Sequence, residues 1–134
     1  QMNAQELVVA VEHRLPVKIV ILNNGYLGMV RQWQDMFYNH TYSAVVLTQT
    51  NRPANEKIPS KPADAPYLPD FVMLANAHGM NAKRVVRPED VRPALDAAFA
   101  SPEPWVLEFI VDPLANVMPM IPPGGTVDET IRKY

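Results

Sequence analysis

Val17-Lys18-Ile19-Val20-Ile21-Leu22 is nearly all apolar, rich in β-branched side chains, and runs without alternation into Asn23-Asn24-Gly25. A half-exposed strand would alternate, whereas a continuous run of this kind predicts a strand covered on both faces, as in a parallel sheet. Asn-Asn-Gly is a turn signal that stops it. A strand of this type requires helices on both sides, and the rest of the chain is read for them.

Before the strand, Ala4, Leu7, Val8 and Val11 fall at helical spacing between Asn3 and His13, and Arg14-Leu15-Pro16 ends the pattern. After it, 27–38 carries Leu27, Val30, Gln34 and Phe37 on one side and Met29, Trp33 and Met36 on another. A helix with large side chains on two faces is expected to need cover on both. Residues 39–69 break the rhythm, with Pro53, Pro59, Pro62, Pro66 and Pro69, and read as a long irregular loop of the functional or mobile kind. Asp70 is placed to cap a helix that reaches His78 and ends at Gly79. Ala82 to Val86 then reads as a strand, Arg87-Pro88-Glu89-Asp90 opens a helix to about Ala100, Ser101-Pro102-Glu103-Pro104 breaks it, and Trp105 to Val111 is a further strand.

Strands alternating with helices predict an α/β domain with a doubly wound, mainly parallel sheet and helices on both faces. We expect this domain to occupy 1–112, with 113–134 a tail. The tail's Met118-Pro119-Met120-Ile121-Pro122-Pro123-Gly124-Gly125 is stiff and apolar, so it is expected to pack on something.

Composition narrows the function classes. With 134 residues, 48% hydrophobic and 19% charged, the chain can build one real core. A formal charge of −2 provides no basic field for a phosphate backbone or an anionic bilayer. No apolar run approaches the roughly 20 residues that span a membrane, and the first residues lack the plan of a signal peptide. The absence of cysteine removes disulfides, thiolate nucleophiles and Cys-ligated zinc, and fits a reducing compartment. The expectation is a cytoplasmic protein without nucleic-acid or membrane partners. Because the first residue is Gln and a helical pattern begins almost at once, the chain is also expected to be truncated at its N-terminus.

In parallel sheets, ligands bind beyond the carboxyl ends of the strands, which directs attention to Asn23–Gly28. A strand ending in Asn-Asn-Gly and leading into a helix gathers side-chain oxygens, backbone carbonyls and helix N-terminal N–H groups. Magnesium takes about six oxygens, often one or two from protein and the rest from phosphate and water, and a helix N-terminus favours the phosphate. Taken alone, the same residues also read simply as a turn. His13, His40 and His78 are scattered without ligand or triad spacing; His78 reads as a helix-end residue, and Glu6, Glu12, Glu89 and Asp90 as solvated or capping groups.

Leu22-Asn23-Asn24-Gly25-Tyr26-Leu27-Gly28-Met29-Val30, followed by Gln32-Trp33 and Phe37-Tyr38, resembles the second half of the thiamine-diphosphate motif of acetolactate synthase (acetohydroxyacid synthase) large subunits. Met118-Pro119-Met120-Ile121-Pro122 with Gly124-Gly125-Thr126 resembles that family's C-terminal signature. Gln1-Met2-Asn3 and Gln5-Glu6-Leu7 resemble the residues after its Gly-Asp-Gly. The resemblance covers nearly the whole chain. It departs in the long loop 41–69, at Tyr26 where the family often has His, and at Pro123 where it often has Ser.

The resemblance implies that Asn24 ligates Mg²⁺ through its side-chain oxygen and Tyr26 through its backbone carbonyl, with Asn23 supporting the turn. It places Asn24, Gly25, Tyr26, Leu27, Gly28 and Met29 at thiamine diphosphate, with Gly28 admitting close backbone approach. Val30 and Trp33 would line the substrate channel. Met29 and Trp33 retain an ordinary packing reading beside the ligand one. Gly124 and Gly125 would belong to a tail over the active site.

The implied reaction condenses two 2-keto acids, pyruvate with pyruvate or 2-ketobutyrate, with loss of CO₂, in branched-chain amino-acid synthesis. No catalytic residue lies in this chain: the activating glutamate and the aspartate of Gly-Asp-Gly would come from elsewhere in a homodimeric or homotetrameric parent, so the chain alone would be inactive. A regulatory small subunit is an implied partner, and FAD, where carried, would bind outside these residues. Two other readings stand beside this one: another thiamine-diphosphate decarboxylase or carboligase, and a non-catalytic α/β binding domain.

Overall fold

The computed structural model describes residues 2–45, 47 and 69–133. Four helices, α1 (Glu6–Glu12), α2 (Gly28–Phe37), α3 (Phe71–Ala77) and α4 (Val91–Ala100), accompany three strands, β1 (Lys18–Asn23), β2 (Asn81–Val85) and β3 (Trp105–Ile110). The strands form one parallel sheet in the order β1-β3-β2. The last strand in sequence is therefore central. Register aligns Ile21 with Glu108 and Glu108 with Arg84.

Alternation along β3 divides the core between two faces. Leu107 and Phe109 pack with Val85 against Ala94 and Ala98 of α4, with Val91, Leu95 and Trp105 around them. Ala94 and Ala98 lie one turn apart, and their small side chains let the helix approach the fully buried Leu107. On the opposite face, Val106 packs with Ala75 and Met80, beneath Leu7 and Val11 of α1 and Ile19 and Ile21 of β1. Helices cover both faces, as a doubly wound α/β domain requires.

Local signals act as read. The Asp70 carboxylate accepts the Met73 N–H at 2.9 Å and caps α3. Gly79, at φ +85°, turns the chain out of that helix, a conformation costly for residues with a Cβ. His78 sits at the helix end with Nδ1 2.8 Å from the Leu74 carbonyl.

Four expectations are corrected. α1 is shorter than Asn3–His13, because Glu6, Leu7 and Val8 donate to carbonyls three residues back, making tight turns rather than α-helix. Its packed stripe is Leu7, Ala10 and Val11, and Val8 is exposed. The α4 segment likewise begins with a 3₁₀ turn at Pro88–Asp90. β1 is covered on one face only: Ile19 and Ile21 are packed, but α4 lies over β3 and β2, leaving Val20 and Leu22 48% and 69% exposed.

The fourth concerns α2. Its buried residues are Arg31 and Gln32, whereas Met29, Val30, Trp33 and Phe37 are substantially exposed. Among the described residues the tail covers Gln32, and the tail's backbone needs polar partners. Gln32 accepts the Val117 N–H at 2.6 Å and donates to the Val117 carbonyl at 3.0 Å. The tail thus packs as expected, but on polar side chains. It also pairs with itself through an antiparallel Met120–Ile131 bridge and a turn in which Gly125 donates to Pro122. Most of the 39–69 loop lies outside the described residues.

Candidate functional site

The carboxyl end of β1 is a double turn. The Asn23 side-chain oxygen accepts the Gly25 N–H at 3.0 Å, and the Asn24 side-chain oxygen accepts the Tyr26 N–H at 3.1 Å. Each asparagine substitutes for a backbone turn, the local reason this residue type suits the position. Gly25 sits at φ +69°, where a Cβ would be strained. Val45 and Leu47 close over the turn: Leu27 donates to the Val45 carbonyl at 2.8 Å and Leu47 to the Gly25 carbonyl at 2.9 Å.

Space at the turn is limited. A Cβ on Gly28 would stand 2.7 Å from the Asn24 amide nitrogen, so glycine at the first residue of α2 is what lets Asn24 lie against the helix N-terminus. The Tyr26 ring packs in a small cluster with Val45 and Tyr42. The Arg31 guanidinium lies 5.7 Å from both the Tyr26 and Tyr42 ring centroids, within cation–π range. It also donates to Asn116 at 3.1 Å. Asp35 receives the Tyr42 hydroxyl, the Asn116 amide at 2.9 Å and His40 at 2.9 Å. Burial would raise the Asp35 carboxyl, but those three hydrogen bonds and the Arg31 charge outweigh it and hold it below the ordinary carboxylate range.

Of the residues singled out from sequence, Asn24, Gly25, Tyr26, Leu27 and Gly28 form this one turn and helix start. Leu27, Met29, Val30, Trp33 and Phe37 make an exposed apolar stripe beside it. On the α1 and α3 side of β1, a cavity of about 400 Å³ is lined by Met2, Asn3, Leu7, Ile21, Phe71 and Leu74. Among the described residues no three His, Asp or Glu side chains converge. A cation here would draw on neutral oxygens, the Asn24 side chain and backbone carbonyls, with an anionic ligand supplying charge. Neutral oxygen donors, a helix N-terminus and a glycine that keeps the cradle open fit a hard divalent cation with a diphosphate.

Sequence reading missed the polar group behind the turn. Glu108 is 1% exposed, at the centre of the sheet, accepting from Asn23 at 2.6 Å and from Arg84 at 2.6 Å. One signal was present: a single charged residue inside the otherwise apolar run Trp105–Val111. Arg31 and Asp35 gave none, since their partners Tyr42 and Asn116 are fixed only by the fold.

Residues 1–109 match the family described as thiamine pyrophosphate enzyme, C-terminal TPP binding domain. The chain is 39% identical over 132 residues to the acetolactate synthase isozyme 2 large subunit of Escherichia coli K12, covering 98% of this chain and 21% of that protein. It is 36% identical over 131 residues to a probable acetolactate synthase large subunit of Methanocaldococcus jannaschii, covering 98% and 19%, and 39% identical over 136 residues to the chloroplastic acetolactate synthase 2 of Nicotiana tabacum, covering 98% and 18%. It thus spans about a fifth of the length of these relatives. Among solved structures, the thiamine diphosphate-dependent 4-hydroxybenzoylformate decarboxylase of Rhodococcus jostii RHA1 superposes with a TM-score of 0.59 at 25% identity, over 81% of this chain and 17% of that one.

Proposed function

This chain belongs to the C-terminal TPP-binding domain family of thiamine pyrophosphate enzymes, and on that premise we propose that it forms the diphosphate-binding part of an acetolactate synthase large subunit. The observation that carries the reading is 36–39% identity over 98% of the chain to acetolactate synthases of bacterial, archaeal and plant origin. The turn geometry agrees with it.

Asn24, through its side-chain oxygen, and Tyr26, through its carbonyl, hold Mg²⁺. The N-terminus of α2 would face the diphosphate, with Gly25 taking the left-handed turn and Gly28 leaving room for the Asn24 amide against the helix start. Leu27 and Met29 give the cofactor apolar contact, and Val30 and Trp33 line the approach of the 2-keto acids, keeping water from the reacting carbon. The chemistry that bound thiamine diphosphate would supply is an electron sink for loss of CO₂ from a 2-keto acid. The residues of the turn and of α2 orient and desolvate the reactants. The aspartate of a Gly-Asp-Gly and an activating glutamate complete the site from other parts of the protein, across a homodimer or homotetramer interface. A regulatory small subunit, FAD bound outside these residues and a cytoplasmic location belong to the same reading.

The test is to incubate the full-length protein with pyruvate, Mg²⁺ and thiamine diphosphate and to measure acetolactate. Its formation is the expected result. Acetaldehyde without acetolactate would favour a decarboxylase, in line with the structural similarity to the Rhodococcus enzyme, and no turnover of pyruvate would remove the substrate assignment.

A further inference from the structure

Behind the Asn23–Tyr26 turn, four side chains from four elements join in one hydrogen-bonded line. Asp70, at the start of α3, accepts from Arg84 Nη2 at 2.9 Å. Arg84 Nε, on β2, donates to Glu108 Oε2 at 2.6 Å, and Glu108 Oε1, on β3, accepts the Asn23 amide at 2.6 Å. Asn23, on β1, closes the line by accepting the Gly25 N–H. Sheet register makes this possible, since Ile21, Glu108 and Arg84 stand side by side and Asn23 lies one same-face step further along β1. Glu108 is 1% exposed, and such a group pays a large desolvation cost that its ion pair at best offsets; an apolar residue there would serve stability as well. Stability alone does not account for it.

Orientation does. An asparagine amide has two ends of nearly equal shape, one donating and one accepting, whereas a carboxylate can only accept. Facing Glu108, Asn23 has one productive orientation: nitrogen to the carboxylate, oxygen to the Gly25 N–H. Arg84, which can only donate, keeps the other carboxylate oxygen occupied. We propose that Glu108, braced by Arg84, is a positioning residue that locks the Asn23 amide and thereby sets the backbone of Gly25 and Tyr26 for metal and diphosphate. The inference rests on the proposed function and extends it to a residue outside the turn.

The full-length protein is titrated with thiamine diphosphate at fixed Mg²⁺, following intrinsic fluorescence, alongside hydrogen exchange at the Gly25 amide without ligand. Glu108→Gln keeps the shape but permits the amide pair to flip, and Asn23→Asp sets two carboxylates against each other. Each is expected to weaken cofactor binding about tenfold or more, within the range for groups that orient metal ligands, and to speed Gly25 exchange. The double variant Asn23→Asp with Glu108→Gln exchanges donor and acceptor and restores a single orientation; it is expected to recover slow Gly25 exchange and most of the affinity. Should one single variant fail to fold, the double against the other single still decides. Wild-type affinity and exchange in Glu108→Gln, or a double variant no better than the singles, overturns the lock. Failure of the wild-type protein to bind Mg²⁺ and thiamine diphosphate overturns the functional reading itself.

Discussion

Gly28→Ala separates the stability of the Asn24 turn from its proposed role in holding a cation. The added Cβ would lie 2.7 Å from the Asn24 amide nitrogen, where ordinary contact begins at 3.4 Å, so the amide must retreat by about 0.7 Å (3.4 − 2.7). In stability the move costs little: losing the Asn24–Tyr26 hydrogen bond is worth about 0.5–1.5 kcal/mol, and alanine in place of glycine in a helix returns up to about 1 kcal/mol. The net change is expected to stay within about 1 kcal/mol. For the metal the same displacement is large, because Mg²⁺ holds its oxygens at about 2.0–2.1 Å in near-octahedral array and ligand distances tolerate only about 0.2 Å. Binding of Mg²⁺ with thiamine diphosphate should weaken tenfold or more while the urea midpoint hardly moves. Isothermal titration calorimetry and urea unfolding of the full-length variant make the comparison. Undiminished affinity would refute the placing of Asn24 at the metal, and a loss of several kcal/mol would refute the assumed ease of its retreat.

Arg84→Met leaves the Glu108 carboxylate buried without its cation and should destabilise by about 3–5 kcal/mol, seen as a lower urea midpoint, and adding Glu108→Leu should recover most of that stability. Gln32→Ala removes both bonds to Val117; a loss of about 1–3 kcal/mol and faster hydrogen exchange at the Val117 amide are expected, and unchanged exchange would show that the tail is held elsewhere. Asp35 has a lowered folded-state pKa, so its bonds stabilise fully above the unfolded carboxylate value of about 3.9 and are lost as pH falls through the folded value. Wild type should therefore exceed Asp35→Asn in stability at neutral pH, with the gap closing on acidification below pH about 4; a gap independent of pH would contradict this. Among the described residues the buried Trp105 indole N–H has no partner, so Trp105→Phe, which removes an unsatisfied donor, should change stability by less than about 1 kcal/mol in thermal unfolding.

Much of this protein is legible because its signals are local. The largely apolar run ending in Asn-Asn-Gly marks a parallel strand with a candidate site at its carboxyl end, since side-chain periodicity and turn sterics act over a few residues. Asp70 and Gly79 bound α3 for the same reason. The expectation that α2 is covered on both of its apolar faces fails, because hydrophobicity ranks Trp33 and Phe37 above Gln32 as core, while the tail backbone that lies on the helix needs a donor and an acceptor.

The turn residues, the α/β alternation and the helix boundaries near Asp70 and Gly79 follow from the chain's own order. The exposure of Val20 and Leu22 and the line from Asp70 through Arg84 and Glu108 to Asn23 follow from placing β3 between β1 and β2, and the burial of Gln32 follows from the tail lying on α2. Asn23 and Glu108 are 85 residues apart, as are Gln32 and Val117. No periodicity reaches across such a separation, and strand order together with the polar demand of buried backbone joins them.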